Sequence, residues 1–336
     1  MRIAMLSPIA WRTPPRQYGP WELVASNLTE GLVAHGHEVT LFATGDSLTS
    51  GRLDAVCPSP YAENPNVDAK VWESLHIANL MEKANQFDII HNHFDFLPLT
   101  YSKLISIPMI TTIHGFSSEK ILPVYKKYNE TNAYISISDA DRHSDLKYLR
   151  TIYHGIDGKK FTLREQKDDY LLFYGRIHPD KGTREALDIA ANSDAKLIIA
   201  GLIQDRGYYD EHVRPRIDGD KVVYLGNVDQ RKGNQLLGDA KALLHPILFD
   251  EPFGLSVAEA MMCGTPVIAF DRGSMPELIE HGKSGFLVRD VRAASEAVIM
   301  ASTLDPRYIR HYAREKFDIG RMVSEYIKVY EEVLHF

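Results

Sequence analysis

The residues with the clearest chemical potential in this 336-residue sequence lie between Phe249 and Phe270. Two carboxylates, Glu251 and Glu259, stand on either side of a Pro-Phe-Gly turn, and the residues after the turn favour a helix that begins at Leu255. Such a helix leaves the amides of its first turn without internal partners; here these are the amides of Gly254, Leu255 and Ser256. Glu259 would follow Leu255 by about 6 Å along the helix axis. Because carboxylates only accept and amides donate hydrogen bonds, this arrangement suits a ligand with hydroxyls and phosphates, such as a nucleotide sugar.

A second group of polar residues follows the apolar run Tyr170–Tyr174, in the sequence Gly-Arg-Ile-His-Pro-Asp-Lys-Gly-Thr. It places two cations, Arg176 and Lys181, beside Gly175 and Gly182 and before a predicted helix. Two fixed cations at a strand end near a helix start favour a diphosphate ligand over the alternative of a charged surface turn. The segment is neither a Walker loop nor a GxGxxG dinucleotide motif, because both glycine spacings are missing.

Histidines end two other predicted strands. His114 ends the β-branched strand Met109–His114 and precedes Gly115, and ligand-contacting groups of a parallel sheet lie at the carboxyl ends of its strands. A structural role is the alternative for His114. His91 and His93 end another strand and share a face by the two-residue period. A metal site at these two histidines would need a third ligand, and the sequence offers none at suitable spacing.

The loop after the first predicted strand, Ser7–Glu22, has Gly19 directly before Pro20, the expected first residue of a helix. A glycine lets the backbone approach a ligand closely, and a helix N-terminus attracts anions. An ordinary proline-rich loop explains the same composition equally well. The aromatic and basic side chains that could contact a substrate from this loop are Trp11, Arg12, Arg16 and Tyr18.

Short apolar runs alternate with segments of helical period along the chain, which is typical of parallel sheets covered by helices. The first series of strands is predicted at Arg2–Leu6, Val39–Ala43, Asp88–His91, Met109–His114 and Ala133–Ser138. Helices of this series are predicted between the first two strands, near Phe96–Ile105 and from Asp139. Strands of the second series are predicted at Tyr170–Tyr174, Lys196–Ala200, Lys221–Leu225, Leu243–His245, Pro266–Phe270 and Phe286–Val288. Its first helices are predicted at Thr183–Asn192 and Gln230–Ala240.

The change of series falls in the glycine-rich and then charged segment Tyr153–Asp169, so we expect two domains. An N-terminal domain is predicted over residues 1–156 and a C-terminal domain over residues 157–317. The last helix, about residues 318–336, is expected to pack back on the first domain through a stripe of Met322, Tyr326, Tyr330 and Val333. The predicted fold is α/β, with two Rossmann-like doubly wound domains facing across a cleft.

Composition and charge disfavour several other classes of protein. The net charge of −7 is unlike that of a nucleic-acid binder. The two cysteines, Cys57 and Cys263, lie too far apart in sequence for a metal or redox motif. The apolar N-terminal run is too short for a secretory signal, and no stretch reaches the roughly 20 apolar residues of a membrane span. We therefore expect a cytoplasmic protein; Lys120, Lys126 and Lys127 allow peripheral membrane contact but do not indicate it.

Five segments span nearly the whole chain in the order GHEVTLF, IHGF, HGIDGKKF, YGRIHPDKG and EPFGLSVAEAMMCGTPVIAF. Together they resemble the retaining family-four glycosyltransferases of GT-B fold. The resemblance implies that a sugar is transferred with retention of its anomeric configuration, with residues 1–156 as the acceptor-side domain and residues 157–317 as the nucleotide-sugar donor domain. Its donor is expected to be a UDP-sugar, with a GDP-sugar as the alternative, and the acceptor is not identified.

The resemblance also implies catalytic roles for four of the candidate residues. Arg176 and Lys181 would neutralise the diphosphate leaving group as it gains charge. Glu251 would contact hydroxyls of the donor sugar, and His114 would contact the sugar near the reacting carbon.

For donor binding, the resemblance implies that Glu259 contacts the nucleotide ribose, that Val228 lies at the base and that the amides of the turn hold the sugar and phosphates. The implied set is Gly19, Val228, Phe253, Gly254, Leu255, Ser256 and Glu259. One departure concerns the first loop, where the family usually has two glycines before a glutamate and this chain has Gly19-Pro20-Trp21-Glu22. The proline removes a backbone donor and stiffens the turn.

No metal ion or other cofactor is expected. Asp139-Ala140-Asp141 and Asp218-Gly219-Asp220 both have the Asp-x-Asp pattern with which glycosyltransferases of another fold hold a divalent ion. The first pair is expected to open a helix and the second to lie in a polar turn. Two alternative functions stay open, a non-catalytic nucleotide-sugar-binding protein of the same fold and a nucleotide-sugar epimerase.

Overall fold

The computed structural model describes residues 1–116 and 118–335 and divides the chain into two compact units. Unit 1 consists of Met1–Gly155 together with the chain from Ile319 onward. Unit 2 consists of Ile156–Asp318.

The described residues of unit 1 form a seven-stranded parallel sheet in the order β3-β2-β1-β4-β5-β6-β7. The strands are β1 (Arg2–Leu6), β2 (Glu38–Phe42), β3 (Arg52–Asp54), β4 (Ile89–Asn92), β5 (Met109–Ile113), β6 (Ala133–Ser136) and β7 (Tyr148–Thr151). Helices in the first part of the unit are α1 (Pro20–Ala34), α2 (Ala69–Glu82) and α3 (Leu122–Tyr128). All residues of β4 and β5 are buried, as expected for central parallel strands covered on both faces.

The described residues of unit 2 form a six-stranded parallel sheet in the order β10-β9-β8-β11-β12-β13. The strands are β8 (Tyr170–Tyr174), β9 (Lys196–Ala200), β10 (Val222–Tyr224), β11 (Ala242–His245), β12 (Val267–Phe270) and β13 (Gly285–Val288). The helices are α4 (Thr183–Asn192), α5 (Arg206–Tyr208), α6 (Gln230–Asp239), α7 (Leu255–Met262), α8 (Met275–Leu278), α9 (Val291–Ala301) and α10 (Pro306–Phe317). In both sheets the strand order reverses once, between β1 and β4 and between β8 and β11. Ligands of doubly wound sheets bind at such reversal points, outside the carboxyl ends of the strands.

The terminal helix α11 (Ile319–Leu334) belongs to unit 1 and packs against α1. A side chain at Gly31 of α1 would place its Cβ 2.3 Å from Val323, so the glycine allows this close approach. The predicted stripe makes polar contacts as well, because the Tyr330 hydroxyl bonds His91 Nδ1 at 2.7 Å and the Tyr326 hydroxyl bonds Thr112 Oγ1 at 2.7 Å. Of the predicted stripe, Val333 is only half-buried. Phe336, which the prediction included, lies outside the described residues.

The helix predicted near Phe96–Ile105 is present as a 3-10 helix over Leu97–Leu104, with Pro98 in its first turn. The helix predicted from Asp139 is wrong. No helix begins at Asp139; its carboxylate bonds the hydroxyl of Thr151, and the segment forms a turn before β7. β3, α2, α3 and β7 were not predicted.

The second Asp-x-Asp pair forms a turn, as predicted. Asp218 Oδ1 accepts hydrogen bonds from the amides of Asp220 and Val222, both at 2.9 Å, and Gly219 has a positive φ of 82°. Among the described residues, no group of three or more His, Cys, Asp or Glu side chains is arranged to hold a metal ion. In the same part of the chain, no helix has the length and apolarity needed to cross a bilayer.

Candidate active site

The carboxyl ends of β8 and β11 bring Lys181 and Glu251 together. Lys181 follows β8 and ends a short 3-10 turn, and its ammonium group forms an ion pair with Oε2 of Glu251. The two side chains are only 15% and 13% exposed. Gly182 makes this approach possible: it has a φ of +71°, and a Cβ there would lie 1.9 Å from the carbonyl oxygen of Pro246, after β11. The structure thus joins two predicted catalytic residues that are far apart in sequence.

The turn that carries Glu251 is fixed by the segment before α8. The amide of Ser274 donates to the carbonyl of Glu251 at 3.0 Å, and the Ser274 hydroxyl donates to the carbonyl of Phe253 at 2.7 Å. Gly273 lies so close to the turn that a Cβ would be 2.4 Å from the amide nitrogen of Glu251. These contacts hold the turn in one conformation before any ligand binds.

Helix α7 begins at Leu255, as predicted, and Gly254 precedes it with a φ of +91°. No side chain caps the helix, and within the described residues the amides of Gly254, Leu255 and Ser256 have no hydrogen-bond acceptor. These are the free donors that the sequence predicted. They point from a helix N-terminus, where partial positive charge favours an anionic group.

Glu259 lies one turn into α7 and is 9% exposed. Burial raises the pKa of its carboxyl to about 8, from a usual value of 4.5. In the part of the chain that the structure describes, no hydrogen bond or ion pair involves this carboxylate. A buried carboxyl without a partner is costly, so its presence beside free amides favours a ligand-binding role.

Arg176 follows β8 by two residues and is half-buried. Its guanidinium donates to the side-chain oxygen of Gln204. No hydrogen bond or ion pair joins it to Lys181 or Glu251 in the described residues. Its role toward a diphosphate therefore stays a prediction, and so does that of Val228, which is half-buried and precedes Asp229, the N-cap of α6.

In unit 1, Gly19 is the N-cap of α1 and Pro20 its first residue, as predicted. Gly19 has a φ of +150°, and a Cβ there would lie 2.8 Å from Pro15 Cβ. The next residue, Trp21, stacks on the imidazole of His114, with ring centroids 5.4 Å apart and planes 20° apart. Glu22 Oε1 accepts a hydrogen bond from the Trp11 amide at 3.1 Å, and burial raises the pKa of Glu22 to about 7. The departure from the glycine pair thus gives His114 an aromatic neighbour.

Both ring nitrogens of His114 contact other imidazoles. Its Nε2 is 2.9 Å from Nδ1 of His93, and its Nδ1 is 3.3 Å from Nε2 of His154. His91 bonds Tyr330 through Nδ1 and Thr112 through Nε2, both at 2.7 Å, so its two nitrogens are engaged within the protein. This pairing of His91 is typical of a structural histidine rather than a metal ligand.

The cations of the loop Ser7–Glu22 already have partners. Arg16 donates to Asp46 Oδ2 at 3.0 Å and to Glu63 Oε2 at 2.7 Å, and Arg12 donates to the carbonyl of Pro14 at 2.9 Å. Trp11 and Tyr18 contact each other edge to face, with centroids 5.7 Å apart. These contacts order the loop, and a substrate contact by its side chains stays a prediction.

Two family models match this chain, one in each half. Residues 22–159 match the model described as Glycosyltransferase Family 4, and residues 157–316 match Glycosyl transferases group 1. The chain belongs to the family 4 glycosyltransferases. It is 26% identical to an uncharacterized glycosyltransferase of Methanocaldococcus jannaschii, over 98% of each chain.

Solved structures share the fold of this glycosyltransferase. Sucrose-phosphate synthase from Thermosynechococcus elongatus has a TM-score of 0.81 and 20% identity, over 100% of this chain and 99% of that one. The Anabaena protein HepE, in complex with UDP and glucose, has a TM-score of 0.75 and 19% identity, over 98% and 99%. The predicted fold of two Rossmann-like domains of the GT-B class is confirmed.

Sequence reasoning missed His245 of the glycosyltransferase. His245 ends β11, is 7% exposed, and has Nε2 3.8 Å from Oε2 of Glu251. This nitrogen is buried without a hydrogen-bond partner in the described residues, and burial lowers the pKa of the imidazole to about 4. The criterion that selected His114, a histidine at the carboxyl end of a buried strand, applies equally to His245. The position of a histidine at the end of a buried strand was therefore the signal in the sequence that could have identified His245.

A cavity of about 400 Å³ lies beside the N-terminal half of α6 in the glycosyltransferase. Its lining residues are Thr162, Arg164, Asp229, Arg231, Lys232, Asn234 and Gln235. None of the predicted donor-binding residues lines this cavity. The Lys181–Glu251 ion pair and the free amides at the start of α7 are therefore the stronger indication of the donor site. Glu259, a buried and unpaired carboxyl, lies one turn further along the same helix.

Proposed function

We propose that this glycosyltransferase moves a hexosyl group from a UDP-sugar, or alternatively a GDP-sugar, to an acceptor hydroxyl with retention and without a metal ion. The observation that carries the proposal is the Lys181–Glu251 ion pair before α7, followed along the chain by the free amides of that helix and by the buried Glu259 one turn into it. This one region offers a cation, backbone donors and two carboxylates. A nucleotide-diphosphate sugar needs all three kinds of group.

The ion pair also explains how the site stays satisfied without a donor. Lys181 and Glu251 are both largely buried, and each would be costly to leave unpaired. A diphosphate carries more negative charge than one carboxylate and would attract Lys181 away from Glu251. Glu251 would then accept hydrogen bonds from hydroxyls of the sugar. Donor binding would thus replace the Lys181–Glu251 ion pair with contacts from Lys181 to the diphosphate and from Glu251 to the sugar, so that neither charged group loses its partner.

In the proposed reaction, the bond between the anomeric carbon and the diphosphate oxygen breaks while the acceptor oxygen bonds to the same carbon from the same face. The proton of the acceptor hydroxyl passes to the departing phosphate oxygen. Negative charge grows on the diphosphate and positive charge on the sugar ring. Lys181, Arg176 and the amides of the first turn of α7 would stabilise the growing negative charge.

The preference for a UDP-sugar rests on the Anabaena neighbour, whose structure contains UDP and glucose. This support concerns the nucleotide and not the acceptor.

The test measures nucleotide release from UDP-glucose, UDP-N-acetylglucosamine and GDP-mannose, with water and with a panel of sugar and polyol acceptors. We expect release from at least one donor and an α-configured product from an α-configured donor by proton NMR. Lys181→Met should lower turnover about 100- to 1000-fold, by analogy with loss of an oxyanion donor. Lys283→Met is the matched control, since Lys283 forms an exposed ion pair with Glu280 in the same unit.

Each rival function has its own outcome in this assay. Tight UDP binding by calorimetry with no release from any donor would favour the non-catalytic binding protein. Appearance of an epimerised sugar with free UDP, without transfer, would favour the epimerase. Equal turnover of Lys181→Met and wild type would remove Lys181 from the mechanism.

A further inference from the structure

Two tyrosines of strand β8 lie against helix α6, and only one of their hydroxyl groups has a partner. Tyr170 begins the strand and Tyr174 ends it, so the two-residue period puts both side chains on the same face of the sheet. The Tyr170 hydroxyl donates a hydrogen bond to the carbonyl of Leu236 in α6 at 2.8 Å. The Tyr174 hydroxyl forms no hydrogen bond with the described residues.

Gly233 of α6 makes room for the Tyr174 hydroxyl. A Cβ at position 233 would lie 2.5 Å from the hydroxyl oxygen of Tyr174 and 3.1 Å from its Cζ, so the end of the ring lies directly against the helix backbone. Gly233 is buried within the helix and its φ is not positive, so the backbone conformation does not require a glycine. Glycine is also less favourable than alanine inside a helix. The close approach of Tyr174 therefore explains the glycine at this position.

Two carboxyl groups lie near the Tyr174 phenol. Burial, and then the negative charges of Glu259 and Asp229, raise the pKa of the phenol above its ordinary value of 10, so that it keeps its proton at neutral pH. Asp229 caps α6 by accepting a hydrogen bond from the amide of Lys232 at 2.8 Å. The Glu259 carboxyl has no hydrogen bond or ion pair in the described residues. Tyr174 and Glu259 are thus two polar groups of one region that the fold leaves unpaired.

The topology of unit 2 places both groups where a doubly wound sheet binds its ligand. Tyr174 is the last residue of β8, and α7, which contains Glu259, follows the adjacent strand β11. The strand order reverses between these two strands, and the ligand site lies outside their carboxyl ends. Tyr174 is half-buried, and polar groups in such positions normally have a hydrogen-bond partner. Its free hydroxyl is therefore available to a ligand.

We propose that the Tyr174 hydroxyl binds the ribose of the donor nucleotide together with Glu259, and that Gly233 is the residue that positions this hydroxyl. The inference rests on the proposed function, in which Glu259 contacts the ribose. A ribose offers two neighbouring hydroxyls, each of which can donate and accept. A carboxylate only accepts hydrogen bonds, whereas a tyrosine hydroxyl also donates one. The two side chains together therefore match the hydroxyl pair of a ribose.

The proposed contact selects the sugar of the nucleotide and not its base. UDP and GDP carry the same ribose, so Tyr174 would contact both in the same way. A nucleotide that lacks the bonded hydroxyl would leave the Tyr174 hydroxyl without its partner. The site is thus expected to prefer ribonucleotide donors over deoxyribonucleotide donors.

The contact is tested by titration calorimetry of UDP, 2′-deoxy-UDP and 3′-deoxy-UDP with the wild type and with Tyr174→Phe. We expect Tyr174→Phe to weaken UDP binding about 3- to 10-fold, as for loss of one hydrogen bond. For one of the two deoxynucleotides the same substitution should change the affinity less than about twofold, because that nucleotide lacks the hydroxyl that Tyr174 bonds. If the wild type binds GDP instead of UDP, the corresponding guanosine nucleotides are used.

Tyr170→Phe is the matched control, because it removes a phenolic hydroxyl from the same strand and the same face. The Tyr170 hydroxyl bonds Leu236 within the fold, so we expect its loss to lower the melting temperature by about 2–4 °C and to leave UDP affinity unchanged. Tyr174→Phe should show the opposite pattern, an unchanged melting temperature with a lower affinity, since its hydroxyl has no partner in the fold to lose.

Gly233→Ala tests how the hydroxyl is positioned. The added Cβ would displace the Tyr174 hydroxyl, so UDP affinity should fall about as far as in Tyr174→Phe. Combined with Tyr174→Phe, the alanine should cause little further loss, because the hydroxyl is already absent. Additive losses would show that Gly233 does not act through Tyr174. If Gly233→Ala fails to fold, the comparison of Tyr174→Phe with Tyr170→Phe still decides the contact.

The outcomes separate this proposal from the proposed function. Equal UDP affinity of Tyr174→Phe and the wild type would overturn the contact. An equal loss of affinity for UDP and for both deoxynucleotides would assign Tyr174 to the base or the phosphates and overturn the ribose contact. Failure of the wild type to release nucleotide from any donor sugar would instead refute the proposed function, while the binding comparison would still decide the role of Tyr174.

Discussion

Replacing Glu259 with glutamine should stabilise unit 2 while weakening nucleotide binding. The carboxyl is buried, without a partner in the described residues, and burial raises its pKa from 4.5 to about 8. Between these two values, the unfolded chain ionises Glu259 and the folded chain keeps it protonated. Stability is therefore lost as the pH rises from about 4.5 to about 8. Glutamine is neutral in both states and avoids this loss.

The size of the effect follows from the linkage between pKa and stability. The free energy of unfolding of the variant should exceed that of the wild type by about 1 kcal/mol at pH 5 and by about 3 kcal/mol at pH 7. For a unit of this size, the difference at pH 7 corresponds to a rise in melting temperature of about 6–12 °C. Calorimetry at pH 5, 6, 7 and 8 measures it, and the exposed Glu296→Gln in α9 serves as control.

Glu259→Gln is also expected to weaken nucleotide binding. If Glu259 accepts hydrogen bonds from the ribose, Glu259→Gln should weaken UDP binding about tenfold or more, measured by titration calorimetry. A residue that lowers stability and raises affinity is typical of a binding site. A variant that is less stable than the wild type, or whose gain in stability is the same at pH 5 and pH 8, would refute the reasoning.

Three further predictions concern the supports of the site. Gly182→Ala should destabilise unit 2 by about 1–3 kcal/mol and lower turnover, because its Cβ would lie 1.9 Å from the carbonyl of Pro246; unchanged calorimetry would contradict this. Tyr330→Phe should destabilise unit 1 by about 1–3 kcal/mol, because it leaves His91 Nδ1 unpaired. Tryptophan fluorescence measures the unfolding of unit 1, since all three tryptophans lie in this unit. An unchanged unfolding midpoint of Tyr330→Phe would contradict the prediction. Nucleotide release should be unaffected by a chelator; loss of activity that Mg²⁺ restores would show that a metal is needed.

The strands of both sheets could be predicted because central parallel strands are apolar on both faces. β12 is an example, since all four of its residues are buried and the sequence reads Val-Ile-Ala-Phe. β7 lies at the edge of its sheet, with Leu149 and Arg150 exposed, and therefore lacks such a run. Asp139 is a residue type that often caps helices, but its hydrogen bond with the Thr151 hydroxyl determines its conformation. Tertiary contacts of this kind cannot be read from local sequence.

The site was predictable where a local pattern carries the information. The glycine before α7 and the free amides after it follow from the order of residues around Gly254. The partner of Glu251 does not, because the contact with Lys181 depends on how closely α4 approaches the loop after β11. The order of the imidazoles around His114 depends in the same way on the packing of three separate segments.

Unpaired buried groups in unit 2 give a signal that a search for motifs cannot supply. Nε2 of His245 and Oε2 of Glu185 are both buried without a hydrogen-bond partner in the described residues. The buried Glu259 carboxyl forms no hydrogen bond or ion pair with the described residues either. His245 ends β11, Glu185 lies in the first turn of α4 after β8, and Glu259 lies in α7 after β11. All three therefore lie near the reversal of strand order between β8 and β11, where a doubly wound sheet binds its ligand. Within the described part of unit 2, the buried side-chain atoms without a partner, on Thr183, Glu185 and His245, all lie at this edge, which supports the donor site independently of any sequence motif.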